Sequence, residues 1–313
     1  MDRIAAEAAA LWGLDGTIRL AARRENVVYR VSTGAGDFAL RLHRPGYRSD
    51  AELASELQWM HALAAGGLDV PDPLARPDGA YLATVADHQV DVLGWVAGAP
   101  LGKAGELHGV EDRPGFCRRL GAAMARLHDI SDAWARPAGF TRPAWDRAGL
   151  LGDDPLWGRF WEHPHLTRDQ KALLLDIRAR ADAALAGIEA GADYGLVHAD
   201  LLSENMMLAG DRLYMIDFDD GGWGFRDFEL ATFLLRFRAA PDYPVLQDAL
   251  LEGYAARRSV RIDELALFML LRALTYPGWI ADRLGEPGAE ERSDRAIATA
   301  IAEARRWLDT QGG

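Results

Sequence analysis

The sequence predicts an α+β chain of two lobes, a small antiparallel β lobe over residues 1–97 and a larger, mainly helical lobe over 98–313. Three observations carry that expectation. Short runs rich in β-branched and aromatic residues are concentrated in the first hundred positions. The stretch GWVAGAPLG, with three glycines and a proline, then breaks the pattern near Gly98. Beyond Arg113 long helical periodicities dominate, interrupted by strand-like runs only between residues 195 and 220.

Taken in order, ENVVYRVSTGAGDFALRLHR reads as a hairpin around a Gly-containing turn. Alternation puts Val27, Tyr29 and Val31 on one face, and in the second strand sets Phe38, Leu40 and Leu42 against Ala39, Arg41 and His43. SDAELASELQWMHALAAGG follows as an amphipathic helix, with Ser49 or Asp50 as N-cap and Gly66-Gly67 as stop. VPDPLARPDG is a turn-rich connector, and AYLATVADHQVDVLGWV holds two further extended runs that complete a small sheet. PGFCRRLGAAMARLHDI, TRDQKALLLDIRARADAALAGIEA, DFELATFLLRFR, YPVLQDALLEGYAARR, IDELALFMLLRALTYPGWIADRL and SDRAIATAIAEARRWLDT then supply the helices.

Of the 313 residues 49% are hydrophobic and 26% charged, the composition of a folded chain with a sizeable core. No run of eighteen apolar residues occurs and the acidic N-terminus lacks a leader pattern, so a cytoplasmic chain without a membrane partner is expected. The single Cys117 agrees with a reducing compartment and reads as a core residue. A net charge of -12 with no basic run excludes nucleic acid as a main partner. Only Lys103 and Lys171 of the 35 basic residues are lysines, and only Asn26 and Asn205 are asparagines. Where drift has removed so many, a surviving Asn invites a chemical reason.

Such a reason exists in YGLVHADLLSENMMLAGDRLYMIDFDDGG, whose polar groups a pure core strand would not tolerate. His198, Asp200 and Asn205 form H-x-D-x-x-x-x-N, and Asp217 opens Asp-Phe-Asp after the run LYMI. Phosphoryl transfer needs a carboxylate that takes the acceptor's proton and oxygen ligands that hold Mg2+ against the nucleotide phosphates. Asp200, Asn205 and Asp217 supply these groups. Asp219 and Asp220, adjacent acids on a Gly-rich turn, read as solvated turn formers. His163, His165 and Glu162 do not make a zinc site, because no third converging ligand accompanies them.

This motif set resembles the aminoglycoside phosphotransferase and choline kinase superfamily, whose fold is protein-kinase-like. ENVVYRV, FALRLHRPGYRS, ASELQWMHAL, VPDP, LGWVAG and DPLWGRFWEHP resemble its branch of type II homoserine kinases and the stress-response kinase A. The resemblance implies ATP and Mg2+ as cofactors, Asp200 as catalytic base, Asn205 and Asp217 as metal ligands, and His198 as a structural member of the loop. It also implies that Leu93, Trp95 and Val96 form the hinge beside the adenine. Trp157 and Trp161 lie where the family's insertion lines the acceptor cleft.

The chain departs from the family where a third-strand Lys usually holds the phosphates, because Arg41 stands there. Its helix partner is expected to be Glu56 rather than Glu52. Asn26 either positions phosphates or caps a turn, and the acid that braces the catalytic loop is either Glu229 or Asp227. The implied activity is transfer of the ATP γ-phosphoryl group to a hydroxyl of a small metabolite, homoserine-like, choline-like or aminoglycoside-like, by a monomer or homodimer. A Ser/Thr protein kinase and a nucleotide-binding regulatory pseudokinase are the alternatives.

Overall fold

A computed structural model describes residues 1–23, 26–103 and 105–311. Glu25, which opens the ENVVYRV motif, lies outside them. The chain divides into two compact units. The first comprises Met1–Leu101, Asp129–Arg142 and Glu204–Asp219; the second comprises Gly102–His128, Pro143–Ser203 and Asp220–Gly313. A single cut near Gly98 therefore does not describe it.

In the first unit α1 (Asp2–Leu11) precedes the strands β1 (Gly16–Arg23), β2 (Val27–Thr33) and β3 (Gly36–Leu42). Helix α2 (Asp50–Ala65) and strands β4 (Leu82–Val85) and β5 (His88–Gly94) follow. The sheet is antiparallel with order β1-β2-β3-β5-β4. The 3.6-residue period of DRIAAEAAALW places Ala5, Ala8, Ala9 and Trp12 on one buried face. These pack with Tyr29, Val31, Leu40, Leu42, Val90 and Val92. The sequence reading contained neither α1 nor β1.

Helix α2 starts as its sequence dictates. Ser49 accepts from the Glu52 amide and Glu52 reaches back to the Ser49 amide, a complete capping box. Leu53, Leu57, Met60 and Leu63 recur at helical spacing and are buried. Trp59 meets Phe218 edge to face at 5.2 Å and donates to Ser131 Oγ at 2.8 Å, so segments distant in sequence join this unit. Among them is a two-stranded ladder over residues 206–215, bridged to the first hundred residues by Pro100 opposite Met207.

The second unit holds the first turns of α3 (Arg113–Ala133), then β6 (Ala144–Trp145), α4 (Arg147–Leu151), α5 (Arg168–Ile188) and β7 (Tyr194–Val197). The chain leaves it for the first unit's ladder of β8 (Met206–Ala209) and β9 (Arg212–Met215). It returns as β10 (Gly222–Phe225), α6 (Arg226–Arg236), α7 (Tyr243–Ala255), α8 (Leu265–Ala281) and α9 (Ala289–Gln311). Strand β10 lies between β6 and β7, parallel to the first and antiparallel to the second. Among the described residues no helix is long and apolar enough to cross a membrane.

Candidate active site

In the first unit the polar face of β3 carries the charge. Arg41 stands opposite Asp91 in the β3–β5 register, and the two side chains meet on the same side of the sheet. Arg41 Nε and Nη2 donate to Asp91 Oδ1 and Oδ2, each at 2.8 Å, and Nη2 also donates to Glu56 Oε1 at 3.0 Å. Glu56 accepts a second guanidinium, Arg142 Nη1, at 3.2 Å. Glu52 is engaged instead in the capping box. Burial alone would raise the Asp91 carboxyl, but Arg41 and His43 pull it down to about 2. Burial likewise opposes ionisation of Glu56, and Arg41 and Arg142 overcome it. Such a buried network is costly to break, about 3–5 kcal/mol for loss of one partner.

The Asp217-Phe218-Asp219 turn closes on this network. Asp217 is solvent-exposed and left-handed, with φ of 65°, a conformation that costs an Asp less than a bulky residue. Asp219 is no solvated turn former: its side chain is only 16% exposed, and Asn26 Nδ2 donates to its Oδ2 at 2.9 Å. Arg48 and Arg142 both donate to its carbonyl. Asp219 Oδ1 lies 3.9 Å from Arg41 Nη1, beyond hydrogen-bond range. Burial and the nearby Glu56 raise the Asp219 carboxyl, with Arg41 opposing. Asn26 thus ties the start of β2 to this turn, its Oδ1 accepting from Arg44 N at 3.3 Å. Asn205 is buried just before β8, and its carbonyl accepts from Ile216 N at 2.9 Å, next to Asp217 in the chain.

At the proposed hinge Leu93 is buried within β5 and Val96 half-buried beyond it. The Trp95 amide donates to Asp37 O at 3.1 Å and its ring lies under the Arg30 guanidinium at 5.1 Å. Trp95 itself is half-buried.

In the second unit β7 ends at Val197 and the chain turns sharply, with Ala199 left-handed at φ of 64°. Glu229 on α6 makes the turn possible by accepting from the His198 amide at 2.5 Å and the Ala199 amide at 3.2 Å. Burial pushes the Glu229 carboxyl up to about 7 despite those amides. Asp227, two residues earlier on α6, interacts with the Arg261 backbone instead. His198 is fully buried, and its Nδ1 accepts from the Asp200 amide at 3.4 Å.

Asp200 itself meets a residue the sequence reading missed. Arg272, fully buried in α8, donates through Nη2 to Asp200 Oδ1 at 2.6 Å and through Nη1 to Ala199 O at 3.0 Å. Its guanidinium lies 4.6 Å from the Trp157 ring centre and 4.8 Å from that of Tyr276. Trp157 also contacts Trp145 and Trp279, and its Nε1 reaches Asp220 Oδ1 at 3.4 Å. Gly278 lets α8 approach this loop, since a Cβ there would stand 2.4 Å from the Trp157 and Gly158 carbonyl oxygens. The signal for Arg272 was present: it is the only charge in α8. Trp161 packs elsewhere, under Arg178 at 4.0 Å. His163 Nδ1 is occupied by the His165 amide.

Residues 17–265 match the phosphotransferase enzyme family, APH. The chain belongs to that family. A homoserine kinase of Sinorhizobium fredii is 29% identical over 253 residues, covering 79% of this chain and 72% of its own. The structure of a microcompartment-associated aminopropanol kinase superposes with a TM-score of 0.82 at 29% identity, covering 100% of this chain and 99% of that one. An amicoumacin kinase seen with AMP-PNP and Ca2+ shares the fold at a TM-score of 0.76 and 18% identity, covering 96% and 92%. The phosphotransferase is thus a small-molecule kinase of protein-kinase-like fold with an alcohol group as acceptor. Its family uses ATP with a divalent metal.

Proposed function

We propose that this kinase transfers the γ-phosphoryl group of ATP to the hydroxyl of a small amino alcohol, with Asp200 as the base. The observation that carries this reading is the Asp200 carboxylate, oriented at 2.6 Å by buried Arg272 on a loop gripped by Glu229. Such a brace commits a buried guanidinium and a buried carboxyl group to holding one carboxylate, which a purely structural loop has no need of. Asp200 would take the hydroxyl proton as the acceptor oxygen bonds to phosphorus and the bond to the ADP oxygen breaks.

Asn205 and Asp217 would hold Mg2+, with Arg41 and Asn26 toward the phosphates. Among the described residues no group of three or more His, Cys, Asp or Glu side chains could hold a metal. One carboxylate and one amide oxygen suit Mg2+, which keeps water and substrate phosphates as its other ligands. When bound, the ion would neutralise phosphate charge. One feature supports an amino alcohol: the relatives named for aminopropanol and homoserine.

The test is ADP release with Mg-ATP across a panel of aminopropanol, homoserine, ethanolamine, choline and aminoglycosides, with Asp200→Asn as blank. Turnover of an amino alcohol lost in the blank is expected. Phosphorylation of none of them, or turnover unchanged in the blank, would sink the reading.

A further inference from the structure

Arg41 is held more tightly than a phosphate-binding cation requires. A guanidinium facing Glu56 alone would pair with it fork to fork, through two parallel hydrogen bonds. Here the Nε–Nη2 edge is taken by both oxygens of Asp91, and Glu56 shares only Nη2. Asp91 is itself fully buried, and His43 Nε2 lies 2.5 Å from its Oδ2, so the carboxylate cannot swing away. Of the five donor hydrogens on the guanidinium, those on Nη1 alone are left outside the clamp. That nitrogen points to the Asp217–Asp219 turn, with Asp219 Oδ1 3.9 Å away.

We propose that Asp91 is a positioning residue that turns Arg41 into a one-point phosphate donor through Nη1, in the manner of an ammonium group. The inference rests on the reading that Arg41 holds the nucleotide phosphates. Planar Arg is longer than Lys and grips phosphate with two nitrogens, a different geometry from the single point charge of an ammonium. By occupying one edge of the fork, Asp91 removes that option. Its necessity is conditional on position 41: with Lys there, no edge needs blocking, and Asp91 becomes a surplus buried charge.

The conditional form makes the test specific. The dissociation constant for Mg-ATP would be measured by calorimetry, alongside melting temperature, on the full chain and on Asp91→Val, Asp91→Asn, Arg41→Lys and the two double variants. Each Asp91 substitution alone should weaken Mg-ATP tenfold or more. Adding Arg41→Lys to Asp91→Val should restore binding to within about threefold of the natural chain, although it removes a second member of the cluster. Should Asp91→Val not fold, the Asp91→Asn pair decides the matter by the same comparison. Double variants no tighter than the Asp91 singles would overturn the proposal, as would an Asp91→Asn chain with unchanged affinity. A natural chain that fails to bind Mg-ATP would instead overturn the nucleotide reading itself.

Discussion

Replacing Glu229 by Gln isolates the cost of the carboxyl group that grips the loop before Asp200. Burial raises this acid from its ordinary 4.5 to about 7. Between those values the folded chain binds a proton that the unfolded chain has released, so stability falls as pH rises through the window and levels off above it. At about 1.4 kcal/mol per pH unit the loss amounts to roughly 3 kcal/mol over the full window and about 2 kcal/mol between pH 5.5 and 7.5. The amide of the Glu229→Gln variant carries no titrating proton. Relative to the protonated carboxyl it exchanges an O–H donor for an N–H2 group, an offset of about 1–3 kcal/mol that does not vary with pH. Urea unfolding of both proteins at pH 5.5, 6.5, 7.5 and 8.5 separates the effects, because the constant offset and all shared titrations cancel in the slope of the difference. The variant should gain about 2 kcal/mol on the natural chain between pH 5.5 and 7.5 and nothing further by 8.5. Parallel stability curves across the window would refute the assignment of a proton to Glu229.

Three further outcomes follow from the same geometry. Asp200→Ala should abolish turnover and also lower stability by about 1.5–3 kcal/mol, because buried Arg272 loses a charged partner; Asp200→Asn should lose turnover at nearly natural stability, as paired melting curves would show. Asp217→Ala should leave the fold intact, since the side chain is exposed, and eliminate metal-dependent nucleotide binding in a calorimetric titration with and without Mg2+. Gly278→Ala would press a methyl against the Trp157 and Gly158 carbonyls; a loss of about 1–3 kcal/mol and altered tryptophan fluorescence are expected, and an unshifted melt would contradict the close approach.

Much of the fold was legible because local chemistry and tertiary demand agree. Ser49 and Glu52 mark the start of α2, Gly66 its end, and β2 alternates toward its middle, whereas β3 is buried on both faces from Leu40 to Leu42. Helix α1 was missed although its small apolar residues recur at helical spacing, because Met1 gives no capping signal. At the proposed site, the H-x-D-x-x-x-x-N spacing singles out His198, Asp200 and Asn205, but the partners of the proposed residues come from far along the chain. Arg41 and Asp91 lie 50 residues apart, Asp200 and Arg272 72 apart, and Asn26 and Asp219 193 apart. No local period encodes such pairings. Glu229 and Asp227 share one turn of α6, so only the position of that helix against the loop shows that Glu229 provides the grip. Arg272 is different: a lone charge in an apolar helix was a readable anomaly whose partner could not be named.

The guanidinium on β3 has a practical consequence for anyone searching cell extracts for active kinases. Reagents that deliver an acyl group from a nucleotide to the nearest amine depend on an ammonium that can shed its proton. Arg41 cannot, since Asp91 and Glu56 hold its proton well beyond the usual range even against burial. That leaves Lys103 and Lys171 as the only side-chain amines in the sequence that lysine-directed profiling could label.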